Sequence, residues 1–108
     1  WRYNGKQHQL ELVKSGDFRK LTGMQPFVET APLNLLFVGD ASKCGMPKLE
    51  QFGTADAAFC AAHAGLYCAS VGLGGVVRGS FQGDALHAAL DLPETMKILL
   101  AMSIGWPK

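Results

Sequence analysis

TADAAFCAAHAGLYCASVGLGGVVRGSF, Thr54 to Phe81, is the stretch whose reading decides the fold. It opens as a helix over roughly Ala55 to Val71, breaks at Gly72-Leu73-Gly74-Gly75, and resumes as a short strand, Val76-Val77-Arg78-Gly79. The helix holds polar residues only at Asp56, His63 and Ser70, with Tyr67 and the cysteines amphipathic. A helix apolar nearly all round is a buried one. Residues four apart share a face, so Ala57, Ala61, Gly65 and Ala69 form a row of almost bare backbone. Alanine needs no reason beyond its helix propensity. Glycine does, because in mid-helix it costs about 1 kcal/mol relative to alanine. Gly65 therefore points to another element packing closely on this row, and a second copy of the chain is the expected occupant.

Outward from this stretch, the preceding run Leu33-Asn34-Leu35-Leu36-Phe37-Val38-Gly39 is almost continuously apolar, the pattern of a central strand covered on both faces. Asp40 to Lys48 contains Gly45 and Pro47 and reads as a loop. Upstream, Trp1 to Asn4 and Gln9 to Lys14 flank an Asn-Gly turn and predict a hairpin. Asp17 is placed to cap a short helix, Phe18 to Thr22, ended by Gly23. Downstream, Asp84 is a potential N-cap for a helix that buries Leu86, Ala89 and Leu90 and stops before Pro93. Lys97 to Gly105 is a last strand. Strands mixed with helices, with a hairpin early, predict an α+β fold.

With 108 residues the chain is one domain's worth, and a 48% hydrophobic, 18% charged composition leaves some surface for another chain to cover. A net charge of +1 without a basic block implies neither nucleic acid nor a membrane surface as partner. Asp56, His63 and four glycines argue against a transmembrane reading of Ala55 to Val77. Cys60 and Cys68 lie about 12 Å apart along one helix, too far to bridge. With Cys44 they read as free core thiols in a reducing compartment, and no pair has metal-ligand spacing. The chain opens on Trp1 in a strand-like run, without a methionine start or a signal peptide, and a beginning outside these residues is the expectation.

The glycine cluster is not a dinucleotide fingerprint, because that motif runs strand, glycines, helix and this one runs helix, glycines, strand. No Walker motif and no Gly-x-Ser-x-Gly context exist. His63 is the only polar group in the middle of the helix and reads as a satisfied core residue, with Tyr67 at i+4 as its hydrogen-bond partner. His8 and His87 read as exposed. Arg78 has two readings: a solvated charge on an edge strand, or a marker of backbone that faces a ligand, since Gly79 admits close approach.

Ala31 to Val38, the helix and turn from Asp56 to Arg78, and the ending Ser103-Ile104-Gly105-Trp106-Pro107-Lys108 together resemble the C-terminal half of FMN-dependent nitroreductase-family proteins. The resemblance covers essentially the whole chain, and Gly72 to Gly79 is its most specific part. In that family an alanine-rich dimer-core helix ends in Gly-Leu-Gly. The next strand lays backbone amides along the flavin near N5, and a basic residue after the last strand helps to hold the FMN phosphate. The resemblance implies one domain over residues 1–108, an α+β nitroreductase-like fold with a central antiparallel or mixed sheet, and a long buried helix. It implies FMN held by Val77, Arg78, Gly79 and Lys108, and hydride transfer from NAD(P)H to a nitroaromatic or quinone-like acceptor. It also implies a homodimer in the cytoplasm, with no metal and no catalytic acid. Two departures stand against it. The arginine-serine-arginine segment that grips the FMN phosphate in the family is absent, and Ala62-His63 stands where members place Gln-Asn. The competing class is a non-enzymatic dimerisation or interaction module that has lost the cofactor site.

Overall fold

A computed structural model describes residues 1–108. The expected hairpin is present: β1 (Arg2–Asn4) pairs antiparallel with β2 (Gln9–Glu11). Asn4 Oδ1 accepts from the Lys6 and Gln7 amides at 3.1 and 3.3 Å and closes the turn. Two 3-10 turns follow, Arg19–Thr22 and Pro26–Glu29. The first replaces the expected helix from Phe18, with Asp17 Oδ1 accepting from the Arg19 amide at 3.1 Å.

Next come β3 (Leu33–Asp40), α1 (Ala41–Cys44), α2 (Met46–Ser70), β4 (Gly74–Arg78), α3 (Gly83–Ala89) and β5 (Met96–Gly105). The main sheet has the antiparallel order β3-β5-β4. β5, not β3, is therefore the central strand. The apolar run of β3 reflects partial cover by α2 and the first 3-10 turn, which mimics the pattern of a strand flanked on both sides.

The loop expected at Asp40 to Lys48 is instead α1 and the start of α2. Asp40 caps α1 by accepting from the Ser42 amide at 3.0 Å. Gly45, at φ 85°, separates the two helices. Pro47 sits in the first turn of α2, where a missing N–H leaves nothing unpaired. The residues that read as loop are the punctuation between helices. At the far end Gly72 takes φ 78°, its amide bonds the Ala69 carbonyl at 3.3 Å, and the Leu73 amide bonds the Cys68 carbonyl at 2.8 Å. This is a Schellman ending with its usual apolar contact: Leu73 packs on the cluster of Cys68, Met102 and Ile104, beside Leu35, Phe37 and Ala64.

The small-residue row is spent inside the chain. Ala57 and Ala61 are buried, and a Cβ on Gly65 would lie 3.8 Å from Met102 Cε of β5. The sheet of the same chain, not a second copy, covers the row from Ala57 to Gly65, which overturns the expected self-association through that part of it; only Ala69, at the end of the row, is exposed. The opposite face of α2 is open: Phe52, Phe59, Leu66 and Tyr67 are each more than half exposed. Near the C-terminus, α3 is capped by Gln82 without a side-chain bond, and Asp84 falls in its first turn rather than at the cap. Leu86 is fully buried. His87 is half-buried rather than exposed, its Nε2 lying 3.1 and 3.0 Å from the Pro93 and Met96 carbonyls. All three cysteines are free, but only Cys68 is a core thiol; Cys44 and Cys60 are exposed.

Candidate functional site

β4 is an edge strand, hydrogen-bonded to β5 alone, so its other side presents unpaired backbone groups. Val76 and Val77 are nearly half exposed on it. The glycines around β4 differ in purpose. A Cβ on Gly75 would run into Met102 Cε, so Gly75 is a packing glycine. A Cβ on Gly79 would meet nothing within 4 Å, so the backbone there faces open space.

Arg78 does not project from this edge. It is buried, and its guanidinium crosses the sheet face under the 3-10 turns. Nη1 donates to the Thr22 carbonyl, and Nη2 donates to Asn34 Oδ1 at 2.9 Å and Ser103 Oγ at 2.8 Å. Asn34 Nδ2 in turn donates to the Val28 carbonyl at 2.9 Å. The cluster ties both turns to β3, β4 and β5. Burial pushes the Arg78 guanidinium below its usual pKa. The reading of Arg78 as a solvated edge charge is therefore wrong for its side chain, while its main chain stays on the open strand.

Beside the N-terminal end of β4 lies a groove of about 380 Å³ between Phe27 and Thr30–Pro32 on one wall and Gly74–Val76 and Ser103–Pro107 on the other. Lys108, exposed, follows Pro107 directly. Gly74 to Val76 of the open strand thus line the groove, Lys108 follows its Pro107 wall in sequence, and Arg78 and Gly79 lie toward the other end of the strand. His63 lies elsewhere, exposed on α2, with Nδ1 2.7 Å from the Phe59 carbonyl; Tyr67 is not its partner. No group of three or more His, Cys, Asp or Glu side chains could hold a metal. No helix is long and apolar enough to cross a membrane.

A sequence model of the Nitroreductase family matches residues 2–106. The chain belongs to the nitroreductase family. Among solved structures, it is similar to a protein of Ralstonia eutropha JMP134 provisionally described as a nitroreductase. The two are 42% identical with a TM-score of 0.89, over 99% of this chain and 52% of that one. It is also similar to the NADPH:FMN oxidoreductase of Vibrio harveyi complexed with NAD+, at 29% identity and a TM-score of 0.66, over 76% of this chain and 40% of that one. Nitroreductase A of Vibrio parahaemolyticus gives 30% identity and 0.66, over 76% and 39%. The chain spans about half the length, or less, of these relatives. No curated protein matches it.

In this nitroreductase-family chain the resemblance implies roles for Val77, Arg78, Gly79 and Lys108, whereas the structure adds Thr22, Asn34 and Ser103 around the Arg78 side chain. Asn34 is the lone polar residue between Leu33 and Gly39, and Ser103 the lone hydroxyl in the last strand. Buried polar groups require partners, so the two were legible as a pair. They face each other across β3 and β5, with Ser103 Oγ donating to Asn34 Oδ1.

Proposed function

We propose that the chain works as an FMN-dependent oxidoreductase of nitroreductase type, and that the open edge of β4 is where it meets the flavin. The observation that carries this is the unobstructed backbone at Arg78 and Gly79. What FMN supplies when bound is two-electron chemistry between NAD(P)H and a nitroaromatic or quinone-like acceptor. The residues present fit it. Of the Arg78 and Gly79 amides, the one that points off the open edge would donate to the flavin near N5, from a position fixed in advance by the sheet. Val76, which lines the groove, would offer apolar surface to the ring and displace water from it, while Val77, whose side chain points to the opposite face of the sheet, would meet the flavin through its main chain. Lys108 meets the phosphate as a point charge. No side-chain acid is needed.

A homodimer is the second part of this reading, and the outer face of α2 supports it. Phe52, Phe59 and Leu66 recur every seven residues, as do Ala55, Ala62 and Ala69, all exposed. That is an a/d seam. If a second copy packs antiparallel, Phe52 lies opposite Ala69, Phe59 opposite Ala62 and Leu66 opposite Ala55, so each large residue meets a small one. Asp56 then lies near His63 of the other copy. A cytoplasmic setting agrees with three unpaired thiols.

Fluorescence titration with FMN tests the flavin reading. The chain alone binds weakly. An arginine–phosphate contact contributes about 1.5–3 kcal/mol, and the two it lacks relative to the family pattern amount to roughly a hundredfold or more in affinity. Gly79→Val fills the approach space and abolishes binding while leaving the fold intact. Parent and variant binding alike, or an absence of flavin binding in the parent, would refute the reading; the latter result favours a dimerisation module.

A further inference from the structure

Arg78 carries a charge that nothing in the chain neutralises. It is 5% exposed, and its acceptors are a carbonyl, an amide oxygen and two hydroxyls, all uncharged. The ion pairs of the chain are Arg2–Glu11, Lys14–Asp91 and Arg19–Asp17, so no carboxylate reaches it. Its Nε has no partner at all. Burying a charge without a counter-ion is expensive, and arginine cannot escape by losing its proton. Gly23 is also committed to this arrangement, since a Cβ there would strike the guanidinium and Val28. A methionine at position 78 would fill much of this space without the electrostatic cost. A fixed, buried, uncancelled cation is instead a source of positive potential in a medium that screens weakly.

The same residue belongs to the open strand segment assigned above to the flavin edge. We propose that the Arg78 side chain is a positioning residue that tunes the cofactor without touching it. Its field favours the reduced form, which carries more negative charge, over the oxidised form. Thr22, Asn34 and Ser103 hold the guanidinium in place without cancelling it. This inference rests on the FMN reading.

The test is the affinity of the full chain for oxidised and for reduced FMN, measured on parent and variants whose folding is checked by circular dichroism. In Arg78→Met the ratio of reduced to oxidised affinity falls about tenfold, equivalent to about 30 mV in a two-electron potential. In Arg78→Lys it stays within about twofold of the parent. Asn34→Asp sets a carboxylate where Asn34 Oδ1 now lies 2.9 Å from Nη2. It neutralises the charge with the arginine still present, at the cost of the Asn34 Nδ2 bond to the Val28 carbonyl, and the ratio falls as in Arg78→Met. A purely structural role would weaken both forms equally and leave the ratio unmoved. Should Arg78→Met fail to fold, Asn34→Asp decides alone. An unmoved ratio in Asn34→Asp overturns this inference and leaves the FMN reading standing; a parent that binds neither form overturns both.

Discussion

Phe59→Glu separates folding from association. Phe59 is 68% exposed in the single chain, so replacing it removes little of the chain's own packing. Glutamate is also the better helix former. The melting temperature is expected to move by no more than about 0.5 kcal/mol implies, the usual range for surface substitutions. In the antiparallel pairing each Phe59 sits against Ala62 of the other copy. Full burial of a phenylalanine contributes about 1.5–3 kcal/mol. With two-thirds of the ring still to be covered, each copy gains about 1–2 kcal/mol, and two-fold symmetry counts it twice. Losing about 2–4 kcal/mol weakens the dimer by roughly 30- to 1,000-fold, before any penalty for enclosing a carboxylate. Sedimentation equilibrium over a range of concentrations reads this directly. A parent that is monomeric throughout, or a variant with the parent's dimer constant and an unchanged melt, would refute the pairing. A dimer retained together with a large loss of stability would mean that Phe59 packs within its own chain.

The small-residue row makes the opposite prediction. Gly65→Leu pushes side-chain atoms toward Met102 Cε, 3.8 Å from where a Cβ would lie. Stability should fall by about 1–3 kcal/mol with the association constant unchanged; an unaltered melting temperature would contradict this packing. Thiol titration should find all three cysteines free, with Cys44 and Cys60 reacting in the folded protein and Cys68 only after denaturation; a single reactive thiol in unreduced, denatured protein would mean a disulfide. Asp17 is held down to about 2 by the Arg19 side chain. Since its folded pKa is depressed, its contribution is whole above the unfolded value of about 3.9 and fades as pH falls through about 2. A carbon-detected titration giving Asp17 an ordinary carboxylate pKa would dismiss the pair.

Much of the fold was legible because its signals are local. The Asn4-Gly5 hairpin, the glycine ending of α2 and the final strand rest on turn chemistry and periodicity within a few residues. What misled was covering. Spacing places Ala57, Ala61 and Gly65 on one face but does not say whether a sheet or a second chain lies on it. An apolar run in β3 likewise records how much surface is hidden, not which neighbour hides it, so the edge strand resembled a central one. At the candidate site, Gly79 was legible as open backbone. The direction of the Arg78 side chain was not, because it depends on Thr22, Asn34 and Ser103, at separations of 56, 44 and 25 residues. A lone asparagine and a lone serine in apolar strands signalled a buried polar partner; only the strand register named it.

Amide chemical shifts recorded while FMN is added to the isotopically labelled chain test the central claim most directly. The largest perturbations are predicted at Val77, Arg78 and Gly79, with a second group at Trp106 and Lys108. Saturable shifts centred elsewhere, such as the Arg2–Lys6 end of the hairpin, or no shifts at saturating flavin, would contradict the assignment of the cofactor to the edge of β4.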